Sequence, residues 1–263
     1  MSKDFNDEFD KFLGKIQRGE NFAFARFSDG ELFILKNQKV ILAENYFITG
    51  ERLGPGVYPA EEQKSFIPEH HGFYQEKLVE SLKFNKNGYY KGICTRSDVS
   101  VEDFEWQLDL HGSPDLEHLT FANVLINNNY KRFVQEMVPL FADREVVYIV
   151  NEGANLPGLP FKVKKSFQIG SNCMIDDYDK VEQVKEYIAK NNLKDHLILC
   201  SAASLSNYII HQCYEESDDN TFLDIGSTLN PFLCLEGWKH TRGYLTHYWL
   251  NSGSPYGSQV DVW

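Results

Sequence analysis

Apolar residues recur along this chain with two different periods. Phe5, Phe9, Phe12, Leu13 and Ile16 fall on one helical face and Gly19 follows them, so residues 3–18 are predicted as an amphipathic helix with a glycine cap. From Asn21 to Phe27 large and small side chains alternate as in a strand. Ser28-Asp29-Gly30 breaks that pattern, and Leu32-Phe33-Ile34-Leu35 opens another apolar run, which together read as strand, turn and helix. Residues 38–75 hold Gly50, Gly54-Pro55-Gly56, Pro59 and Pro68 and read as loop with short elements. A helix near 73–84, a strand at 90–94 and a mixed segment with helix around 116–138 complete the first half.

The second half alternates more regularly. Val146-Val147-Tyr148-Ile149-Val150 is a continuous β-branched and aromatic run, as expected of a parallel strand covered on both faces. Shorter apolar runs follow at 166–169, 197–200 and 222–225. Between them, Val181, Val184, Tyr187 and Ile188 share one helical face, and Leu205, Tyr208, Ile209 and Cys213 share another. Strands alternating with helices predict right-handed crossovers, hence an α/β fold with a mostly parallel sheet flanked by helices. No internal repeat or linker divides the chain, so residues 1–263 are expected to form a single domain, with 1–20 as its N-terminal helix and 231–263 as a C-terminal tail. The aromatic residues of that tail, Tyr244, Tyr248, Trp249, Tyr256 and Trp263, have three outlets: packing on their own domain, a dimer contact, or a cover over a binding site.

Composition narrows the partners. With 26 Lys and Arg against 38 Asp and Glu, the net charge of −12 argues against broad capture of nucleic acid or anionic lipid. An anionic ligand would need a local device: a metal ion, a helix N-terminus or a few placed arginines. The 5 cysteines are scattered with no C-x-x-C pair, no apolar leader opens the sequence, and no run approaches a membrane span, so a cytoplasmic location is expected. Aromatic residues make up 14% of the chain, which serves a ring-packed core as well as a sugar site. Nothing in the pattern speaks to oligomeric state.

In open α/β sheets ligands lie at the carboxyl ends of the strands. Those ends read Arg26 to Glu31, Asn151 to Asn155, Gly170 to Asn172, Ser201 to Ser204, and Asp224 to Ser227, all small, polar or acidic. Asp29 and Glu31 offer the one or two carboxylates that a hard divalent cation takes beside a diphosphate. The same residues also fit a helix start, since Ser28-x-x-Glu31 is a capping-box signature and Asp29 suits a helix N-terminus. Geometry separates the two: carboxylates two residues apart share a side in extended chain and diverge on a helix. Arg26, at the end of an inner strand, needs an acid or a phosphate as partner. The turn Ser201-Ala202-Ala203-Ser204 is small enough to bring backbone N–H groups against an anion. Glu152 is a candidate base or ribose ligand, with helix capping as the alternative, and Asp224 is a second carboxylate that could accept a proton. His70-His71, His111 and His118 lack zinc-site spacing, and neither a G-x-S-x-G elbow nor a catalytic-cysteine signature is present.

Phe24 to Glu31 (FARFSDGE) resembles the R-F-G-D-G-E opening of the GT-D type glycosyltransferases, formerly a conserved domain of unknown function. In the same order, Asn127-Asn128-Asn129-Tyr130 resembles that family's short polar-Tyr motif, Tyr148 to Gly158 its I-V-E-G-x-x-S-R-x-G segment, Ser201 to Asn207 its G-P-T-A-T-V-L turn, and Leu223 to Ser227 its closing D-I-G-H. The collinear stretch runs from about 20 to 230. The resemblance implies a Rossmann-like fold, a nucleotide-sugar donor such as a UDP-sugar, a glycan or other hydroxyl acceptor, and a divalent metal, Mn2+ or Mg2+, held at a D-x-E pair. Carried over by position, that pair is Asp29 and Glu31, with Arg26, Gly30, Asn151, the 201–204 turn, Gly226 and Ser227 around the nucleotide. Three departures stand out: Ser28 in place of Gly, Asn155-Leu156-Pro157 in place of Ser-Arg-Leu, and Ser227 in place of His. Arg242 is either a replacement cation near the phosphates or a surface arginine. Two rival readings remain: a binding protein without turnover, and a methyltransferase suggested by Asp224-Ile225-Gly226. The methyltransferase strand normally comes first in its fold, whereas this run comes last.

Overall fold

A computed structural model describes residues 3–113, 116–253 and 256; Trp263 lies outside them. Helix α1 (Phe5–Gln17) leads into strand β1 (Ala23–Phe27) and helix α2 (Asp29–Leu35). Four short strands follow, β2 (Val40–Leu42), β3 (Tyr46–Thr49), β4 (Arg52–Pro55) and β5 (Lys64–Phe66), and then α3 (Pro68–Lys83), β6 (Tyr89–Ile93), α4 (Val101–His111) and β7 (Leu119–Phe121). An irregular helical stretch begins with α5 (Tyr130–Arg132) and runs through a π turn, Phe133–Met137, into a 3-10 segment, Val138–Asp143. The rest is β8 (Val146–Asn151), β9 (Val163–Ile169), α6 (Cys173–Asp176), α7 (Lys180–Lys190), β10 (Leu197–Cys200), α8 (Ser204–Glu216), β11 (Thr221–Asp224), α9 (Trp238–Thr241) and α10 (Gly243–Leu250).

Seven strands form one sheet in the order β7-β6-β1-β11-β10-β8-β9. Every neighbouring pair in it is parallel, so the expected mostly parallel sheet is parallel throughout. Because side chains alternate across a strand, each strand feeds two cores. Ala23, Ala25, Val147 and Ile149 point to one, shared with α3, α7 and α8; Phe24, Tyr148 and Val150 point to the other, shared with α1 and the 130–141 stretch. Helix α1 is capped by Asp4, whose side chain accepts from the amides of Asn6 and Asp7. Its Phe12 ring lies 5.5 Å from Phe22, 5.0 Å from Phe24 and 5.3 Å from Tyr90, which fastens the helix across β1 and β6.

Two expectations need correction. Residues 38–75 are not mainly loop: β2 to β5 make a second, antiparallel sheet ordered β4-β3-β2-β5, a flap inserted between α2 and α3. Val40 and Phe66 bury its base in the main core, while strands of three or four residues give too little alternation to be read. The helix expected around 116–138 is also displaced. Leu119–Phe121 is a strand buried against β6, α4 lies earlier, and the helical stretch follows from Asn127. Helix α3 starts earlier than expected, at Pro68, where a proline at the first helical position loses no hydrogen bond. Among the described residues, no helix is long and apolar enough to cross a membrane.

Phe12 is 1% exposed at the junction of four rings. Phe12→Ala is expected to lower unfolding free energy by about 3–5 kcal/mol in chemical denaturation; a loss well under 1 kcal/mol would show that α1 is not part of the cooperative core.

Candidate active-site cavity

Chain connections set the place of the site. From β1 the chain passes through α2 and the flap to β6 and β7, then crosses over and returns through β8, β9, β10 and β11 to pair with the other edge of β1. The strand order reverses between β1 and β11, and a cavity of about 610 Å³ opens beyond their carboxyl ends. Arg26, Asp29, Gly30 and Glu31 line it from β1 and α2, Asn151 from β8, Ser201, Ala202 and Ala203 from β10, and Asp224, Gly226 and Ser227 from β11. The flap contributes Tyr58, Glu61, Glu62 and Lys64; the C-terminal segment contributes Thr241, Arg242 and Tyr244.

Asp29 is the first residue of α2, and Glu31 is the third. At 100° per residue their side chains diverge. Glu31 turns inward and is 7% exposed. Its Oε2 accepts from the Ser28 amide at 3.2 Å and the Ser28 hydroxyl at 2.7 Å, and its Oε1 accepts from Ser204 Oγ at 2.9 Å. The capping arrangement is therefore formed, and Glu31 also ties the N-terminus of α2 to that of α8. Asp29 is exposed and lines the cavity. Among the described residues no three His, Cys, Asp or Glu side chains converge into a cation cage. A divalent cation here would draw on Asp29 and on oxygen atoms of a ligand.

The 201–204 turn carries backbone strain. Ala203, which precedes α8, holds φ +44° and ψ −140°, a region costly for a residue with a Cβ. Ser201 shares a hydrogen bond with Tyr148 (2.9 Å), and the Ala202 amide donates to Ser206 Oγ (3.1 Å). Ser204 is 2% exposed and lines a small neighbouring pocket rather than the main cavity.

Arg26 and Asp224 stand at the carboxyl ends of the paired strands β1 and β11, and both line the cavity. Arg26 Nε donates to the Ala122 carbonyl at 2.6 Å, and among the described residues Arg26 forms no ion pair within 4.0 Å. Gly226 has φ +50°, which favours glycine, and a Cβ there would stand 2.3 Å from Arg26 Nη1 and push the guanidinium aside. Asp224 is 5% exposed and its Oδ1 accepts from the Gly226 amide at 3.0 Å. Burial pushes its carboxyl up to about 7, against the opposing pull of Arg26.

Arg242 is not a lone surface arginine. Its Nε donates to Ser227 Oγ at 3.1 Å, Ser227 Oγ meets Tyr244 OH at 3.1 Å, and Arg242 Nη2 lies 3.4 Å from Glu62 Oε2. Lys64 lines the cavity from β5 without an ion pair among the described residues. Glu152 is exposed and outside the cavity lining, beside the other predicted residues but not among them. Of the tail aromatics, Tyr244 and Tyr248 pack their rings on Tyr130, 5.0 and 5.2 Å away, and Trp249 Nε1 donates to Tyr130 OH at 3.0 Å. Tyr244 and Tyr256 also line the cavity.

The flap residues Tyr58, Glu61, Glu62 and Lys64 escaped the sequence reading. Their one signal is the charged run Glu61-Glu62-Gln63-Lys64 inside a segment otherwise marked by glycine and proline.

No protein-family description matches the chain, and no curated protein matches it in sequence. Solved structures do. The fold is similar to that of a structure described as the highly conserved domain of unknown function 1792 with a distinct glycosyltransferase fold (TM-score 0.55, 10% identity, covering 95% of this chain and 83% of that one). It is also similar to a structure described as a new glycosyltransferase (DUF1792) from Streptococcus sanguinis (TM-score 0.50, 12% identity, 84% and 80% covered). A selenomethionine-substituted structure of domain of unknown function 1792 matches with a TM-score of 0.55 at 10% identity, covering 95% and 83%. The chain thus shares, as an α/β fold built on one parallel sheet, the fold described for the first of these as a distinct glycosyltransferase fold.

The raised Asp224 carboxyl has a signed consequence for stability. Its folded value of about 7 exceeds the ordinary 3.8, so the folded state holds this proton more tightly than the unfolded chain. The resulting stabilisation is complete below about pH 4 and is lost as pH rises through about 7. Asp224→Asn keeps the oxygen that accepts from Gly226 and removes the titration. Melting curves at pH 5 and pH 8 are expected to show a smaller alkaline decline in the variant; an equal decline would refute the assignment.

Proposed function

We propose that the protein is a metal-assisted glycosyltransferase that moves a sugar from a nucleotide-sugar donor, a UDP-sugar, to a hydroxyl of a glycan or glycosylated acceptor. The observation that carries this reading is the convergence of Arg26, Arg242 and the exposed Asp29 on one large cavity, at the strand-order reversal of a fold shared with structures described as glycosyltransferases.

In such a transfer a bond forms between the acceptor oxygen and the anomeric carbon, and the bond from that carbon to the phosphate oxygen breaks. The electron pair leaves with the nucleoside diphosphate, and the hydroxyl proton must go to a base. Arg26, Arg242 and Lys64 are the cations on hand for the diphosphate, with the N-terminus of α8 beside them. They stand among six carboxylates in the same lining, so a diphosphate would have to meet them directly or through a bound cation. The donor set suits a hard divalent cation that keeps most of its ligands from phosphate and water, with Asp29 as the protein's share and Glu31 as the residue that fixes the start of α2. When bound, that cation supplies charge stabilisation to the leaving diphosphate. Of the two candidate proton acceptors, Asp224 lines the cavity and Glu152 does not. A carboxyl near 7 is balanced between holding and releasing a proton at neutral pH, which suits a general base.

Calorimetric titration of UDP with and without Mn2+ tests the reading. Wild-type protein is expected to bind UDP in a metal-dependent way, and Asp29→Asn to lose at least about tenfold in affinity. Gly226→Ala, which displaces the Arg26 guanidinium, is expected to weaken UDP binding with or without metal. Binding of S-adenosylmethionine in place of UDP would overturn the reading, and UDP-sugar binding without transfer or hydrolysis would leave a binding protein.

A further inference from the structure

Glu62 ends the 3-10 turn Ala60–Glu62 of the flap, and its side chain is 9% exposed. Oε1 accepts from Thr241 Oγ1 at 2.9 Å. Oε2 is buried and accepts no hydrogen bond from any described residue; it is ion-paired with Arg242, whose Nη2 stands 3.4 Å away. Both Glu62 and Arg242 line the cavity. A carboxylate oxygen can only accept, and one left buried without a donor is costly to the free protein. The Arg242 ion pair balances the charge of Oε2 but leaves its capacity to accept a hydrogen bond unfilled.

The chemistry of the missing donor is constrained. Phosphate is excluded because like charge repels, whereas a sugar hydroxyl is a compact neutral donor. The position is constrained too. Arg242 reaches from Ser227, at the end of β11, to Glu62. The oxygen therefore sits directly beside a cation assigned to the diphosphate, where the sugar of a nucleotide-sugar follows its phosphates.

We infer that Glu62 Oε2 accepts a hydrogen bond from a hydroxyl of the sugar carried by the donor, which makes Glu62 a specificity-determining residue. The inference rests on the nucleotide-sugar reading above. It extends recognition to the flap, away from the strand ends.

The test measures, with Mn2+ present, the affinities of UDP, UDP-glucose, UDP-galactose and UDP-N-acetylglucosamine for wild type, Glu62→Gln and Thr241→Val. The readout is the gain in affinity from UDP to the best-bound UDP-sugar, which cancels any general effect on the nucleotide. Wild type is expected to show a gain, Glu62→Gln to lose about tenfold of it, as for a hydrogen bond to a charged group, and Thr241→Val to keep it. Thr241→Val removes the clamp on Oε1 and leaves Oε2 in place, so an equal loss in both variants would reduce Glu62 to a latch and overturn the inference. Retention of the gain in Glu62→Gln, or no gain in wild type for any of the three sugars, would overturn it while leaving nucleotide binding intact. Absence of UDP binding to wild type would instead overturn the nucleotide-sugar reading and the inference with it.

Discussion

A sheet whose strands all run the same way places every carboxyl end on one side and forces each connection back over a face. Here the chain leaves β1 onto the face that carries α2 and α3, and leaves β11 onto the opposite face, where Leu229, Leu233 and Tyr244 are buried. Adjacent strands that send their chains to opposite faces cannot close the gap beyond their ends. The crevice is a product of topology before any residue is chosen to line it. What the lining residues then decide is which charges survive there.

Most of those charges are restrained. Glu31 is held by Ser28 and Ser204, so its carboxylate joins two helix starts. Asp224 is buried and held close to neutrality, with Arg26 as the cation that keeps its carboxyl from rising further. Arg26 is turned by its bond to the Ala122 carbonyl and seated against the bare Cα of Gly226. The cavity lining sets three cations, Arg26, Lys64 and Arg242, among six carboxylates, Asp29, Glu31, Glu61, Glu62, Asp98 and Asp224. An anionic ligand can therefore be held only by direct contact with those cations or through a bound cation, not by a general positive field.

The sheet was largely legible in the sequence because its strands are continuous apolar runs that need no partner to be recognised, as at Val146 to Val150 and Leu197 to Cys200. The strand ends were legible for the same reason: Arg26 and Asp224 stand in the last residues of β1 and β11, Ser201 follows β10 directly, and Asp29 comes two residues after β1. The flap was not. Its strands are too short for alternation, and β2 reaches its neighbour β5 only across an intervening hairpin. Leu119 to Phe121 lies inside the segment that reads as mixed with helix, because three apolar residues bear no period of their own; only pairing with β6 makes them a strand. At the site, spacing placed Asp29 and Glu31 together but could not say that α2 begins at Asp29 and sends the two carboxylates apart. Glu62 and Arg242, 180 positions apart in the numbering, become neighbours only in the folded chain.

The contacts that bring these two together also bear on access to the cavity. The flap meets the C-terminal segment through Glu61, which accepts from the Gly237 amide at 2.9 Å, and through Glu62 on Thr241 and Arg242. Gly237 has an ordinary φ of −57°, so its smallness answers to space: a Cβ would stand 2.3 Å from Pro59 and 2.8 Å from Glu61 Oε1. Hydrogen bonds of this kind exchange for bonds to water at a modest net cost, whereas the apolar burial that holds Val40 and Phe66 in the core does not. The base of the flap is thereby fixed while its cavity edge is closed by contacts that water can replace.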